Sequence, residues 1–290
     1  MVEDRPFLTL LSHMTLVVGA ALVIFPVYIA FVASTHPTED FLSGVVPLVP
    51  GDHLVPTYRQ ILTEGMSVAG TPPVWLMLTN SLVMAMGIAV GKIIISVMSA
   101  YAVVYFRFPF RMLAFWLIFI TLMLPVEVRI LPTFEVVAGL QLLNSYTGLI
   151  LPLIASATAT FLFRQFFLTV PDELLEAARV DGAGPIRFLI DILLPLSRTN
   201  IAALFVILFI YGWNQYLWPL LVTADESYYT IVMGIQRLAN VNDQQPHWNI
   251  IMGTATLALV PPVIVDVGEP LNAHDDRVIA LIGGDEQRPE

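Results

Sequence analysis

The stretch Glu176-Ala177-Ala178-Arg179-Val180-Asp181-Gly182, followed by Ile192-Leu193-Leu194-Pro195, decides the fold, because it is a charged segment between two long apolar runs. Pro171 suits a first helical position, and the acidic residues after it lie where the helix dipole favours negative charge. Gly182 suits a helix C-terminus. Pro185 can open a second helix, which Pro195 closes. The residues therefore predict a compact helix-turn-helix over residues 171–195.

The composition on either side of this segment is that of a membrane protein. Hydrophobic residues make up 57% of the 290 positions and charged residues only 12%, and the mean hydropathy is +0.78. A helix that crosses a bilayer needs about 20 apolar residues. We predict an all-α polytopic membrane protein with about six transmembrane helices. The predicted spans are 14–34, 80–106, 112–131, 148–168, 200–222 and 249–265, which together make a transmembrane domain over 14–265.

The distribution of arginine predicts the orientation. Seven arginines lie in the N-terminal tail, in the turn at 106–111 or around 164–199, whereas the opposite loops contribute only Arg59 and Arg237. The positive-inside rule then puts residues 1–13 and the segment 171–195 in the cytoplasm. The net charge of −10 does not indicate a basic or acidic partner, since seven of the acidic residues lie in the last 25 positions. We expect a bacterial inner membrane as the environment and no nucleic-acid partner.

The chain lacks the patterns of an enzyme. It has no cysteine, and its five histidines show no metal-ligand spacing. The phosphate-binding pattern G-x-x-x-x-G-K-[ST] is also absent from the sequence. We therefore expect no catalytic residue, no metal and no cofactor bound by this chain.

Several polar residues within the spans are candidates for a translocation path: Glu127, Arg129, Asn214, Gln215 and Lys92. Charges inside a membrane are costly and must face protein, water or each other. The alternatives are a structural ion pair for Glu127 and Arg129, and helix-helix hydrogen bonds for the two amides. Gly87 and Gly91, four residues apart, favour close helix packing over a functional role.

At the segment 171–195 the chain resembles the membrane subunits of ATP-binding-cassette importers. Their signature is Glu-Ala-Ala, three residues, Gly, nine residues, Ile, one residue and Leu-Pro, and this chain matches each position. The resemblance implies that the segment docks on an ATPase subunit and carries its motion into the membrane. The coupling residues that it implies are Glu176, Ala177, Ala178, Arg179, Asp181, Gly182, Ile192, Leu194 and Pro195.

Four further runs narrow the resemblance: 3–13, 115–129, 155–167 and 203–221. They are similar to the E-type permease subunits of glycerol-3-phosphate importers, which belong to the carbohydrate-type permeases that include the maltose importer. This similarity covers about residues 1–265. It implies a second permease of related fold, two ATPase subunits that bind ATP and Mg²⁺, and an external solute-binding protein. It also implies glycerol 3-phosphate or glycerophosphodiesters as cargo, moved by alternating access.

A proton-coupled secondary carrier is the rival prediction, with Glu127 and either Lys92 or Arg129 as the proton relay. It explains the charges in the spans but gives the segment 171–195 no purpose. Within the importer hypothesis, the spans hold few basic residues for a phosphate-bearing cargo. This shortage predicts that the binding protein supplies most of the selectivity for the cargo.

The C-terminus departs from the pattern of similar permeases, whose last helix continues with apolar residues into a short basic tail. Here Val265 is followed by a polar, acidic stretch over 266–290. From Asn249 to Val265 a helix spans about 25 Å, less than the ~30 Å of a hydrocarbon core. We predict a shortened sixth helix and an atypical tail, as a shifted reading frame would produce.

Overall fold

The computed structural model describes residues 6–44, 47–65, 70–123, 126–240 and 246–283. Within these ranges the side chains at 6, 8, 42–43, 121–123, 126–127 and 269–283 are not described. The described residues form helices joined by turns and loops, with no β-strand among them. The prediction of an all-α fold is confirmed.

The helices match the apolar runs and the proline and glycine breaks of the sequence. We call residues 171–195 the coupling segment, after the role that the resemblance implies. The helices before it are α1 (Pro6–Ser34), α2 (Leu54–Thr63), α3 (Val74–Tyr105), α4 (Arg111–Met123), α5 (Val126–Gly139), α6 (Tyr146–Ile150) and α7 (Ala157–Phe167). The segment and the chain beyond it form α8 (Asp172–Val180), α9 (Pro185–Phe188), α10 (Leu194–Leu196), α11 (Arg198–Trp213), α12 (Leu217–Val222), α13 (Ile231–Ala239) and α14 (Trp248–Gly283).

Three helical stretches are each long and apolar enough to cross a membrane unaided: Thr9–Ser34, Val74–Tyr105 and Trp248–Gly268. Two of the other predicted spans are interrupted within the described residues. The span 200–222 falls on α11 and α12, and the span 112–131 falls on α4 and α5, between which residues 124–125 lie outside the described residues. The span 148–168 corresponds to Tyr146–Leu153 and Ala157–Phe167, which meet at a bend of 49°. Hydropathy averages over such breaks, which is why the sequence predicts continuous helices there.

The stretch of the last helix that is apolar enough to cross a membrane ends at Gly268, close to the predicted end of the sixth span, while the backbone of α14 stays helical to Gly283. The apolar run ends near Val265, but residues such as glutamate, leucine and alanine have adequate helix propensity. The change of composition therefore marks the end of the apolar stretch only.

The chain divides into two compact units. The first comprises Met1–Leu78 and Met233–Val260, and the second comprises Thr79–Val232 and Pro261–Glu290. The buried core that supports the candidate site lies in the second unit and draws on four helices, α3, α5, α6 and α12. Its buried members are Met84, Ile88, Val137, Leu149, Trp218 and Val222.

Close packing in the second unit explains Gly87 and Gly91. A Cβ on Gly87 would lie 2.7 Å from Cδ1 of Ile150, and one on Gly91 would lie 2.6 Å from Cγ2 of Ile154. Both distances are well inside van der Waals contact. The prediction that these glycines serve helix packing is confirmed: they let α3 approach the broken span that α6 begins.

In the first unit, His36 organises the loop after α1. Its Nδ1 lies 2.9 Å from Oδ2 of Asp40 and its Nε2 lies 2.8 Å from the carbonyl oxygen of Val49. An imidazole between two acceptors is best satisfied when both nitrogens carry protons. The Val49 carbonyl, together with the weaker effect of the hydrogen bond to Asp40, raises the pKa of His36 above its ordinary value against the opposing effect of burial.

This raised pKa predicts a pH-dependent loop. In the unfolded chain the imidazole has a pKa of about 6.5, so the stabilisation by His36 is fully present below that pH and is lost as pH rises through the higher folded value. Hydrogen exchange of residues 35–53, corrected for intrinsic rates, should therefore show stronger protection at about pH 5 than at about pH 8.5. His36→Gln should abolish the difference, whereas His13→Gln should retain it. Equal protection at both pH values in the unmodified chain would contradict the assignment.

Candidate functional site

The first helix of the coupling segment ends in a glycine-dependent turn. At the C-terminus of α8, the N–H of Ala183 donates to the carbonyl of Ala178 at 2.8 Å, and the N–H of Gly182 donates to the carbonyl of Arg179 at 3.1 Å. These two bonds define a Schellman motif, which needs a left-handed residue at its turn. Gly182 supplies it with a φ of +75°. The local sequence alone thus sets the chain reversal between the two helices.

The second helix of the segment is irregular. It begins at Pro185 in α9, passes through a π-helical stretch at Leu189–Leu193 and finishes in α10. Pro195 has no N–H to offer the carbonyl four residues earlier, so the α-helical ladder cannot continue through it. The end is capped instead by Ser197, whose N–H donates to the carbonyls of Leu193 and Leu194, both at 3.1 Å.

The burial pattern of the segment separates an inner from an outer set of side chains. Ala178, Phe188 and Leu193 are buried, whereas the charged and small motif residues are exposed: Glu176, Ala177, Arg179, Asp181 and Gly182. Ile192 and Leu194 are half-buried and Pro195 is exposed. Large apolar side chains of the segment are also exposed, and three of them are more than half exposed: Val180 at 87%, Ile186 at 73% and Ile190 at 53%. We call Glu176, Ala177, Val180, Ile186 and Ile190 the coupling surface.

The end of α3 holds the segment by a hydroxyl and an aromatic contact. The hydroxyl of Tyr101 donates to the carbonyl of Pro185 at 2.8 Å, and the ring of Tyr105 packs edge-on against Phe188 at a centroid separation of 5.3 Å. A groove of about 530 Å³ lies between α3 and the segment, lined in part by Arg107 and Arg179. The end of α3 and the segment 171–195 are therefore held together by direct contacts.

Removing the hydroxyl of Tyr101 should weaken the contact between α3 and the coupling segment without unfolding the chain. Tyr101→Phe keeps the ring contacts but deletes one hydrogen bond to a carbonyl, which costs about 1 kcal/mol. We expect hydrogen exchange in residues 183–190 to become about two- to five-fold faster, as an order-of-magnitude consequence of that loss. Tyr28→Phe, which removes a hydroxyl bonded to Leu48 in the loop after α1, is the matched control. Unchanged exchange at 183–190 would mean that Tyr101 does not hold the segment.

The second candidate feature is a chamber of about 410 Å³ in the second unit. Its walls come from α3, α5, α11, α12 and the broken span of α6 and α7. The polar lining residues are Lys92, Arg129, Thr133, Ser156, Thr158, Tyr211, Gln215 and Trp218. None of the described lining residues is acidic.

Lys92 is the central charged group of this chamber. It is only 6% exposed, and its Nζ lies 3.6 Å from the centroid of the Tyr211 ring. A cation over an aromatic face is stabilised electrostatically by about 0.5–2 kcal/mol, more when it is desolvated. The described ion pairs of the chain are His36–Asp40 and Arg187–Asp191, so no described carboxylate neutralises Lys92.

The structure brings together three of the five predicted path residues. Lys92, Arg129 and Gln215 line the chamber, and the Nε2 of Gln215 donates to the carbonyl of Tyr211 at 3.1 Å. Asn214 is exposed at the end of α11 and is not among the lining residues. The side chain of Glu127 lies outside the described residues. Its predicted pairing with Arg129 therefore stays a prediction.

Sequence reasoning missed the residues that organise the chamber. Ser156 caps the N-terminus of α7, its Oγ accepting from the N–H of Ala159 at 3.3 Å. A serine before a helical run is a recognisable N-cap pattern. The continuous hydropathy of residues 148–168 nevertheless predicts a single helix through Ser156 and so hides this helix start. Tyr211 opens the aromatic-rich stretch 211–218, whose composition is typical of a membrane interface, and its contact with Lys92 has no signature in sequence.

Asn80, near the start of α3, is a second missed residue. It is fully buried, and its Nδ2 donates to the carbonyls of Ser227 and Tyr229 at 2.8 and 3.0 Å. Its Oδ1 accepts from the hydroxyl of Tyr146 at 2.6 Å. One amide thus ties together α3, α6 and the loop after α12, which surround the same core as the chamber.

Comparisons with known proteins agree with this architecture. Residues 92–270 match the family model described as binding-protein-dependent transport system inner membrane component. The sn-glycerol-3-phosphate transport system permease protein UgpE of Brucella melitensis is 58% identical over 267 residues, which is 92% of this chain and 95% of that protein. The UgpE protein of Escherichia coli is 55% identical over 265 residues, 91% and 94% of the two chains.

A solved structure supports the fold alone. It is the crystal structure of a bacterial ABC transporter involved in the import of the acidic polysaccharide alginate, and one of its chains is 19% identical to this one. The TM-score is 0.76, with 91% of this chain and 96% of that chain covered.

Proposed function

The chain belongs to the binding-protein-dependent transport system inner membrane components, and on that premise we propose that it is one permease half of an ATP-driven importer of glycerol 3-phosphate or glycerophosphodiesters. The observation that carries the cargo proposal is the 58% identity over 92% of the chain to a permease protein of an sn-glycerol-3-phosphate transport system. Similarity of that extent reaches well beyond the short motif that all such permeases share.

The coupling surface supports the proposed ATPase partner. Exposed apolar side chains on a non-membrane segment mark a protein interface, and Val180, Ile186 and Ile190 are more than half exposed. Any Cβ at Gly182 would meet no atom of this chain within 4 Å. An ATPase subunit that approached the turn closely would therefore meet no obstruction. We propose that closure of two such ATPase subunits, which hold the ATP and Mg²⁺, moves this segment.

The joint between α3 and the segment supports alternating access. Motion applied at residues 171–195 passes to α3 through Tyr101 and Tyr105, and α3 carries Lys92 in the chamber. In this proposal a second permease of related fold completes the path, and an external binding protein delivers the solute. The N-terminus and the coupling segment face the cytoplasm, in accord with the arginine distribution.

The rival prediction of a proton-coupled carrier is wrong, since the chain belongs to a family of binding-protein-dependent systems. A carrier of that kind would need no cytoplasmic docking segment.

The test is uptake into proteoliposomes that contain the complete complex. We expect glycerol 3-phosphate uptake that requires the binding protein and ATP on the ATPase side, and that vanadate blocks. A proton uncoupler should leave it unchanged. Uptake that is driven by a proton gradient without ATP, or ATP-dependent uptake of a different solute only, would overturn the proposal for mechanism or for cargo respectively.

A further inference from the structure

We propose that the chamber around Lys92 and Arg129 is a transient binding site for the phosphate group of the cargo within this permease half. This inference rests on the proposed importer function and adds to it a site, a chemical class of ligand and named residues. It also revises the expectation that the binding protein supplies most of the selectivity.

The charge of the chamber is the first support. Lys92 and Arg129 bring two cations to its lining, and no described lining residue is acidic. Lys92 is buried whereas Arg129 is exposed, and two like charges that line one cavity repel each other. A phosphate monoester, which carries between one and two negative charges at neutral pH, would relieve this repulsion, whereas a neutral sugar would not.

The burial of Lys92 is the second support. Only 6% of its residue surface remains exposed to solvent. A buried ammonium group is costly unless something compensates it, and its one described contact is the face of the Tyr211 ring. The ring offers no hydrogen-bond acceptor of carboxylate or phosphate strength. Three N–H donors at this position are suited to phosphate oxygens.

The broken span supplies the third support. The break after Leu153 places the N-terminus of α7 at the chamber, with Ser156 and Thr158 in its lining. The first N–H groups of a helix lack intrahelical acceptors, and the dipole favours an anion there. The Oγ atoms of Ser156 and Thr158 add polar groups beside them. An interrupted membrane helix with this orientation is a general means of meeting anionic solutes near the middle of a bilayer.

The chamber's size fits a small phosphate ester. A volume of about 410 Å³ lies at the lower end of the range for small-molecule sites, about 300–1,000 Å³. Lysine contributes a compact point charge and not the bidentate fork of arginine. Such a site attracts an anion yet releases it, which a translocation path requires.

The transport experiment compares variants in the complete reconstituted complex. Lys92→Met should lower glycerol 3-phosphate uptake about tenfold or more, because one charge-assisted contact to phosphate is lost. Lys92→Arg should restore most of it. Arg59→Gln, which removes an exposed cation of α2 outside the chamber, should have no such effect. Assembly is monitored by co-purification of the ATPase subunits with each variant.

A second readout does not depend on transport. The chain contains no cysteine, so Thr158→Cys places a single thiol in the chamber, in a complex whose partners lack reactive thiols. The anionic 2-sulfonatoethyl methanethiosulfonate should label it faster than the cationic 2-trimethylammonioethyl reagent. Adding Lys92→Met should lower this rate ratio about fivefold or more. Glycerol 3-phosphate and inorganic phosphate should slow labelling, whereas glycerol should not.

The outcomes separate this inference from the proposed function. An unchanged rate ratio in Lys92→Met, or normal uptake by that variant, would overturn the phosphate site even if the complex imports glycerol 3-phosphate. A complex that does not import glycerol 3-phosphate refutes the proposed cargo, while the thiol labelling still decides whether the chamber binds phosphate. Equal loss of uptake in Lys92→Met and Lys92→Arg, with the ratio unchanged, would assign Lys92 a structural role only.

Discussion

Gly182→Pro should reduce ATP hydrolysis stimulated by the loaded binding protein to less than about a tenth of the original rate, without loss of membrane insertion. Proline holds φ near −65° and has no N–H, whereas the turn needs a φ of +75° and an N–H that donates to Arg179. The Schellman motif cannot form, and the helices of the coupling segment lose their fixed angle. The measurement is ATPase activity of the reconstituted complex, with insertion assessed by membrane fractionation.

Gly182→Asn is the matched control for this prediction. Asparagine tolerates the left-handed region better than other non-glycine residues, and no atom of the chain lies within 4 Å of the added Cβ. The variant should fold with the turn intact. Activity in Gly182→Asn with loss in Gly182→Pro would assign the defect to the backbone. Normal stimulation in Gly182→Pro would mean that residues 171–195 are only a connector and would refute the coupling role.

Asn80→Leu should destabilise the chain by about 3 kcal/mol, since the three hydrogen bonds of a fully buried amide are lost at about 1 kcal/mol each. Leucine has a similar size but offers no donor or acceptor to Tyr146, Ser227 or Tyr229. Tyr229 is buried, so water does not readily replace the partner that its carbonyl loses, whereas Tyr146 and Ser227 are exposed. We expect a lower thermal unfolding midpoint and aggregation of the solubilised protein in size-exclusion chromatography.

Tyr146→Phe provides the control, because it removes one of the three bonds and keeps the ring against Tyr228 at 5.4 Å. Its cost should be about 1 kcal/mol. The double variant should be less destabilised than the sum of the two single variants, since the broken bond is shared. A change of less than about 0.5 kcal/mol in Asn80→Leu, the size expected of a surface substitution, would contradict the structural role of the amide.

The coupling segment and the chamber differ in how far sequence could predict them. Gly182, Pro185 and Pro195 act through local backbone geometry, so their effect on the segment can be derived from their order in the chain. The exposure of Val180 and Ile186 cannot be derived from the sequence, because an apolar residue is ordinarily expected to be buried. Their exposure is a tertiary observation, and it identifies the surface that a partner has to cover.

Lys92 and Arg164 also show that sequence alone does not assign a role to a basic residue near an apolar run. Both are visible in sequence as cations near apolar runs, and both lie over an aromatic ring. Arg164 packs against Phe115, with its Cζ 4.5 Å from the ring centroid, and it is not among the residues that line the chamber. Lys92 lines the chamber itself. Which of them meets the cargo depends on the neighbours that other helices supply.

The sequence by itself determined the membrane class, the helical fold and the position of the coupling segment. Hydropathy is a sum over consecutive residues, and glycine and proline act on their own backbone, so these properties need no knowledge of distant contacts. Only the tertiary structure decided that Lys92, Arg129 and Ser156 share one chamber and that Asn80 joins three elements. The physical reason is that a charge or an amide acquires its role from partners within a few ångströms, and folding brings the partners of Asn80 from 66 to 149 positions away in the chain.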